Sequence, residues 1–344
     1  MANQSKDGKF QRALKWMGYA AAILSFLGTL YGLGKYVYDR AETNRKIEAL
    51  LSAEAVQLQA RDYKSAWRTL EQASQLKPDS SKVRAAQEAL ALAWLEDLPW
   101  QLGEKFSDFA PKLDAVLTRA VASAKPGTAR ADLLAHLGWV YFVRLWERTA
   151  TVDPTTAFAK AVAEDPNNPY ANAMWGFFII WRRDKLSAAE ERFALALASN
   201  RAGDFIRNLQ SHALGDCHSD ECGEELIRVA SAMRKEQRMP DSTTVSHIFS
   251  MYYFSFLHPS AETVRFINLV PPAEHVATFH WLFDKVDFDK SNSRLRAYYL
   301  AVLQEAAGQR DEALANYRLA IADDQPNTNS FWDPARAAIK RLSR

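Results

Sequence analysis

Two cysteines, Cys217 and Cys222, lie in the stretch DCHSDEC with His218 between them and His212 five residues before the first. Sulfur and imidazole this close together can do three kinds of chemistry. A disulfide would close a small loop, add about 2 kcal/mol on the chain-entropy estimate and belong in an oxidising compartment. A zinc ion could be held by His212, Cys217, His218 and Cys222, although the adjacent Cys217 and His218 do not easily face one ion. Free thiols would leave Cys217 as a nucleophile activated by His280 or another distant histidine, with no cysteine-protease signature around it. The disulfide is the favoured reading, and no metal is expected.

Elsewhere the chemistry is sparse. Asp287, Asp289, Ser291 and Asn292 faintly echo a calcium loop, but the glycine of the sharp turn is missing and Tyr298 stands where a bidentate glutamate belongs. This reads as a solvated loop. His136, His247, His258, His275 and His280 are scattered among apolar residues and read as packed or surface side chains. No GxxxxGK[ST], GxGxxG, HExxH or GxSxG is present, so phosphate, dinucleotide, zinc-protease and hydrolase signatures are absent. Neither an enzyme nor a cofactor is expected.

The elements that must position these residues follow from composition. The chain has 344 residues, 48% of them hydrophobic, with 43 Lys and Arg against 41 Asp and Glu. That is ample apolar surface for a core, and the balanced charge supplies no field for nucleic acid. Its 13 Gly and 13 Pro, about 4% each, fall below the usual levels of roughly 7% and 5%. Turn-rich sheets are therefore disfavoured, and no alternating strand run with Gly or Asn-Gly turns is seen. Helical patterns alternate with breaks at KPDSS, AKPGT, EDPNNP and DDQPN.

The N-terminal segment stands apart. After a basic tail, residues 1–15, the run from Trp16 to Gly34 carries no charge. As a helix it covers roughly 28 Å, enough to span a bilayer, with Trp16, Tyr19, Tyr36 and Tyr38 near its ends where aromatic belts form. A retained anchor over residues 16–38 is expected, because the apolar run exceeds that of a cleavable signal and no small-x-small site follows. Basic residues flank it on both sides, and the short tail favours a cytoplasmic N-terminus with the remaining chain exported, periplasmic in a bacterium. Gly28 and Gly32 form a GxxxG that would let two spans approach and dimerise, so a homo-oligomer is one possible outcome.

Residues 39–344 resemble tetratricopeptide repeats, helix hairpins that stack into a solenoid. The match lies in spacing, clearest over residues 47–79, 131–199 and 294–327. In the first copy, Asp62 and Tyr63 sit at the turn, Ala66, Leu70 and Ala73 share one face, and Pro78 is the stop. The second has Leu134, Leu137, Gly138 and Tyr141 in its first helix and Phe158, Ala161 and Pro166 in its second. The third repeats Trp175 and Gly176, then Ala189, Phe193 and Ala196, with one extra residue in the turn. The last has Leu300, Ala301, Gly308, Ala313, Tyr317, Ala320 and Pro326. Residues 80–130 and 200–290 depart from the pattern, with Trp94, Trp100, Phe249, Tyr252, Tyr253, Phe254 and Phe256 available for packing. The fold expected is all-α, an irregular solenoid behind one transmembrane helix.

The resemblance implies binding of a protein in the groove lined by the first helix of each hairpin. The groove positions are Trp139, Phe142, Tyr170, Phe177 and Trp181, aromatic where the chaperone-binding members carry a basic carboxylate clamp. The partner implied is an amphipathic or hydrophobic helix, and the expected role is a membrane-anchored scaffold or adaptor. A signalling component, whose spans repack when the solenoid binds, is the second reading. A Cys-dependent enzyme is the third.

Overall fold

A computed structural model describes residues 4–97, 106, 108–217, 219–257, 266–285, 293–322 and 331–344, without the side chains of 4–25, 27, 28, 30, 32, 34, 253–257 and 283–285. Among these residues there is no strand. The helices are α1 (Gln4–Gln59), α2 (Tyr63–Leu76), α3 (Ser81–Asp97), α4 (Ala110–Ser123), α5 (Thr128–Trp146), α6 (Thr155–Glu164), α7 (Pro169–Trp181) and α8 (Leu186–Ala198). They continue as α9 (Gly203–Cys217), α10 (Asp220–Lys235), α11 (Ser242–Leu257), α12 (Pro272–Lys285), α13 (Ser293–Ala306), α14 (Arg310–Ala320) and α15 (Trp332–Leu342). They fall into two compact units, residues 1–94 and 95–344.

In the first unit no proline precedes Pro78 and no glycine follows Gly34 before that point, so nothing breaks the helix after the apolar run. The result is a single 56-residue helix, α1. Its C-terminal part packs on α2 and α3 through Ile47, Ala73 and Val83, with Leu50 and Leu51 against them. Asp62 caps α2 by accepting from the Ser65 amide at 3.1 Å. Ala66, Leu70 and Ala73 are fully buried. The helix stops at Leu76 because Pro78 holds Lys77 in an extended conformation. Tyr63 stacks on Trp94 at 5.7 Å.

Phe26, Tyr31, Leu33, Tyr36, Val37 and Tyr38 are exposed on α1. Among the described residues no helix is long and apolar enough to cross a membrane. The expected span lies along α1, but Gly28, Gly32 and most side chains of residues 16–34 lie outside the described residues.

In the second unit α5 pairs with α6, α7 with α8 and α9 with α10, while α5, α7, α9 and α11 pack successively side by side. The chain continues through α12, α13, α14 and α15, each against its neighbour. Gly138 and Gly176 explain how closely two of these hairpins close. A Cβ on Gly138 would lie 2.7 Å from the Phe158 ring, and one on Gly176 would lie 2.9 Å from that of Phe193. Both rings are buried, so the missing methyl is what admits them.

The four clearer repeats share a turn as well. After α1, α5, α7 and α13 the chain places Arg61, Arg148, Arg183 and Gly308 at φ 57°, 57°, 60° and 73°. The following amide donates back to the carbonyl five residues earlier, Asp62 to Gln57 at 2.9 Å, Thr149 to Arg144 at 2.8 Å, Asp184 to Ile179 at 3.1 Å and Gln309 to Gln304 at 2.9 Å. This is the paired-bond closure of a left-handed helix end. Arginine does three times what glycine does once. The α7–α8 turn holds four residues where the α1–α2 turn holds three, which is the extra residue read from the third copy.

Two second helices, α2 and α6, end by proline chemistry, and α7 starts with a proline. Pro166 holds Asp165 extended after α6, and Asn168 caps α7, whose first residue is Pro169. The breaks at KPDSS, AKPGT and EDPNNP thus fall between helices. DDQPN, Pro326, Trp100 and the Asp287 to Asn292 stretch lie outside the described residues.

Candidate partner-binding site

Helix α5 brings Trp139 and Phe142, one turn apart, to face Phe177, Phe178 and Trp181 of α7. Trp139 meets Phe142 at 4.8 Å and Phe177 edge-on at 5.2 Å. Phe142 meets Phe177 at 5.5 Å and Trp181 at 5.3 Å, both edge-on. Such pairs add roughly 0.5–1.5 kcal/mol beyond their buried area. Trp139 is 2%, Phe142 3% and Phe177 8% exposed, whereas Trp181 is 41% exposed.

The groove expected from spacing is corrected here. Three of its five aromatics cover one another between α5 and α7, since two large side chains on each neighbouring helix fill the space a groove would need. Tyr170, at the other end of α7, is half-buried and packed against other rings. Its ring lies 4.7 Å from His136 and 5.6 Å from Phe205. Burial pushes its hydroxyl pKa up, and the Glu96 carboxylate that takes its hydrogen bond pushes it further. Trp181 alone keeps a large exposed face.

That face borders a cavity of about 200 Å³ lined by Phe177, Ile180 and Trp181 of α7, Arg183 of the left-handed turn, and Ala213, Asp216 and Cys217 of α9. Four of its seven lining residues, Phe177, Ile180, Trp181 and Ala213, are apolar. Its two charges have opposite sign, and no ion pair joins Arg183 to Asp216 among the described residues. Cys217 is bonded to Cys222, with Cα atoms 6.1 Å apart. The bridge ties the end of α9 to the start of α10, where Ser219 caps the helix by accepting from the Cys222 amide at 3.2 Å. Bonded sulfurs are neither thiolate ligands for zinc nor a free nucleophile, so both alternatives for this cluster fall in this state. His218 lies outside the described residues.

Behind the cavity wall runs a polar relay that spacing did not disclose. Asp216 lies 3.5 Å from His247, whose ring meets that of His212 at 5.5 Å. His212 is 3.0 Å from Asp241. Asp241 also accepts from the Thr244 amide at 2.7 Å, and Asn208 accepts from the Asp241 amide at 3.0 Å and the Thr244 hydroxyl at 2.8 Å. Burial lowers the His212 pKa more than Asp241 can raise it. For Asp241 burial works upward, but the hydrogen bonds of His212 and Thr244 bring it below the ordinary value. Neutral His212 therefore donates to ionised Asp241. The residues come from α9, from α11 and from the loop just before α11, so they meet only once those helices are packed.

No protein-family model matches the chain, and no curated protein matches it. Among solved structures it is similar to a tetratricopeptide repeat protein from Parabacteroides merdae, with 13% identity, a TM-score of 0.39 and coverage of 87% of this chain and 100% of that one. It is also similar to the P58(IPK) TPR domain, with 12% identity, a TM-score of 0.19 and coverage of 87% and 97%. At such scores the hairpins' own contacts, and not the superpositions, define the fold.

Proposed function

We propose that the second unit is a tetratricopeptide-like docking module, and that the chain is a scaffold or adaptor holding a protein partner at a membrane. The observation that carries the docking reading is the cavity between α7 and α9, with the exposed Trp181 as its wall. Tryptophan is enriched among the residues that anchor protein contacts. The recurring glycine-on-phenylalanine contacts and left-handed turns support the repeat reading. The cavity has room for side chains, whereas drug-sized ligands fill roughly 300–1,000 Å³. An apolar or amphipathic helix laying one residue into it suits its size and its four apolar lining residues.

The membrane part of the proposal rests on the uncharged run of residues 16–34 and on the exposed aromatics that continue it along α1. The disulfide favours an exported second unit, since such bonds persist in oxidising compartments. Recovery of partners from detergent-solubilised membranes tests the docking reading. Trp181→Ala lowers recovery at least tenfold with an unchanged helical circular-dichroism signal; undiminished recovery overturns the assignment of the cavity.

A further inference from the structure

The two sulfurs of the bridge are not equivalent. Cys217 is half-buried and forms part of the cavity wall, while Cys222 is buried at 3% exposure. Cys222 is also the third residue of the 16-residue α10, whose first turn already carries Asp220 and Glu221. Cys217 closes α9. A thiolate arriving through the cavity therefore meets Cys217 first, and the sulfur it displaces is that of the more deeply buried Cys222.

We propose that the partner docked in the cavity presents a cysteine, and that the bridge is a covalent latch for it. This rests on the docking reading above. In the step, the partner thiolate attacks Cys217 Sγ along the line of the bridge. A bond forms between the partner sulfur and Cys217 as the Cys217–Cys222 bond breaks, and Cys222 leaves as a thiolate. The partner sulfur is oxidised, Cys222 is reduced, and the proton lost by the partner thiol goes to solvent or to Cys222. No further oxidant is required. Phe177, Ile180, Trp181 and Ala213 supply apolar contact for the residues flanking the partner cysteine, which distinguishes such a segment from a hydrophilic thiol.

The test uses the full, oxidised chain in detergent and two probes, an apolar peptide acetyl-Ala-Leu-Cys-Leu-Ala-amide and glutathione. Intact mass and peptide mapping follow the adducts. The peptide is expected to form a mixed disulfide on Cys217 at least tenfold faster than glutathione does, and Trp181→Ala to abolish that preference. No adduct under native conditions, equal rates for both thiols, or an adduct on Cys222 overturns the latch. Retained recovery of partners through Trp181 without any adduct sinks the latch alone. Failure of both sinks the docking reading with it.

Discussion

Arg148 holds a backbone conformation that L-residues with a Cβ disfavour, at φ 57°, and its side chain is exposed. Glycine suffers no such penalty there, although it gives the unfolded chain more freedom. Arg148→Gly should therefore stabilise the second unit by about 0.5 kcal/mol or more, read from urea unfolding. A loss of stability would mean that the turn is not left-handed. Gly138 makes the opposite case. A valine there drives methyls into the buried Phe158 ring, and such overpacking costs about 1–3 kcal/mol; Gly138→Val with Phe158→Ala should cost less than the two singles combined. The Gly138 and Phe158 positions were legible as a small and a large residue in repeat register. The role of Arg148 was not, because arginine carries no turn signal of its own.

At the scale of elements, α11 and α12 are held by a buried histidine. His275 is fully buried and lies 3.1 Å from the Tyr252 hydroxyl. Burial pushes it down from 6.5 to about 4, against the opposing pull of the Phe266 and Ile267 carbonyls. As pH falls, the unfolded chain takes the proton first, so stability is full above the unfolded value and is lost between pH 6.5 and about 4. The loss is on the order of 3 kcal/mol. Unfolding at pH 7.5 and 4.5 measures it, and His275→Gln should flatten this part of the profile; an equally steep variant would acquit His275. At the α9–α10 turn, replacing both cysteines by serine should cost about 2 kcal/mol at neutral pH, the loop being short. Helix positions were largely readable from proline and from small residues at repeat spacing. The covering of Trp139, Phe142 and Phe177 was not, since periodicity says which face a residue occupies but not whether the next helix closes over it. Asp216, Arg183 and Ala213 went unnoticed as cavity residues because they meet only when α7 and α9 lie side by side.

For the whole molecule, repeats in an array are stabilised through their neighbours, so the irregular stretches 80–130 and 200–290 could be expected to supply helices without matching the repeat pattern, and α3, α4 and α9 to α12 do so. Continuity of α1 was legible in the lack of proline and glycine after Gly34 but is easily hidden by dividing anchor from repeat at residue 38. The proposed anchor makes a joint prediction about membrane and redox state. An arginine at the centre of a spanning helix costs about 2.5–3.5 kcal/mol, so Leu24→Arg with Leu27→Arg removes most of the insertion energy of the 16–34 run. The wild-type chain should stay in the membrane through alkaline carbonate washing, with both cysteines blocked to a maleimide reagent until a reductant is added. The double variant should appear in the soluble fraction, held in the reducing cytoplasm, and take up two maleimides without reductant. Carbonate release of the wild type would remove the anchor. Full labelling of the wild type in its native compartment would instead keep the anchor but reverse the orientation, placing the cavity and its latch on the cytoplasmic side.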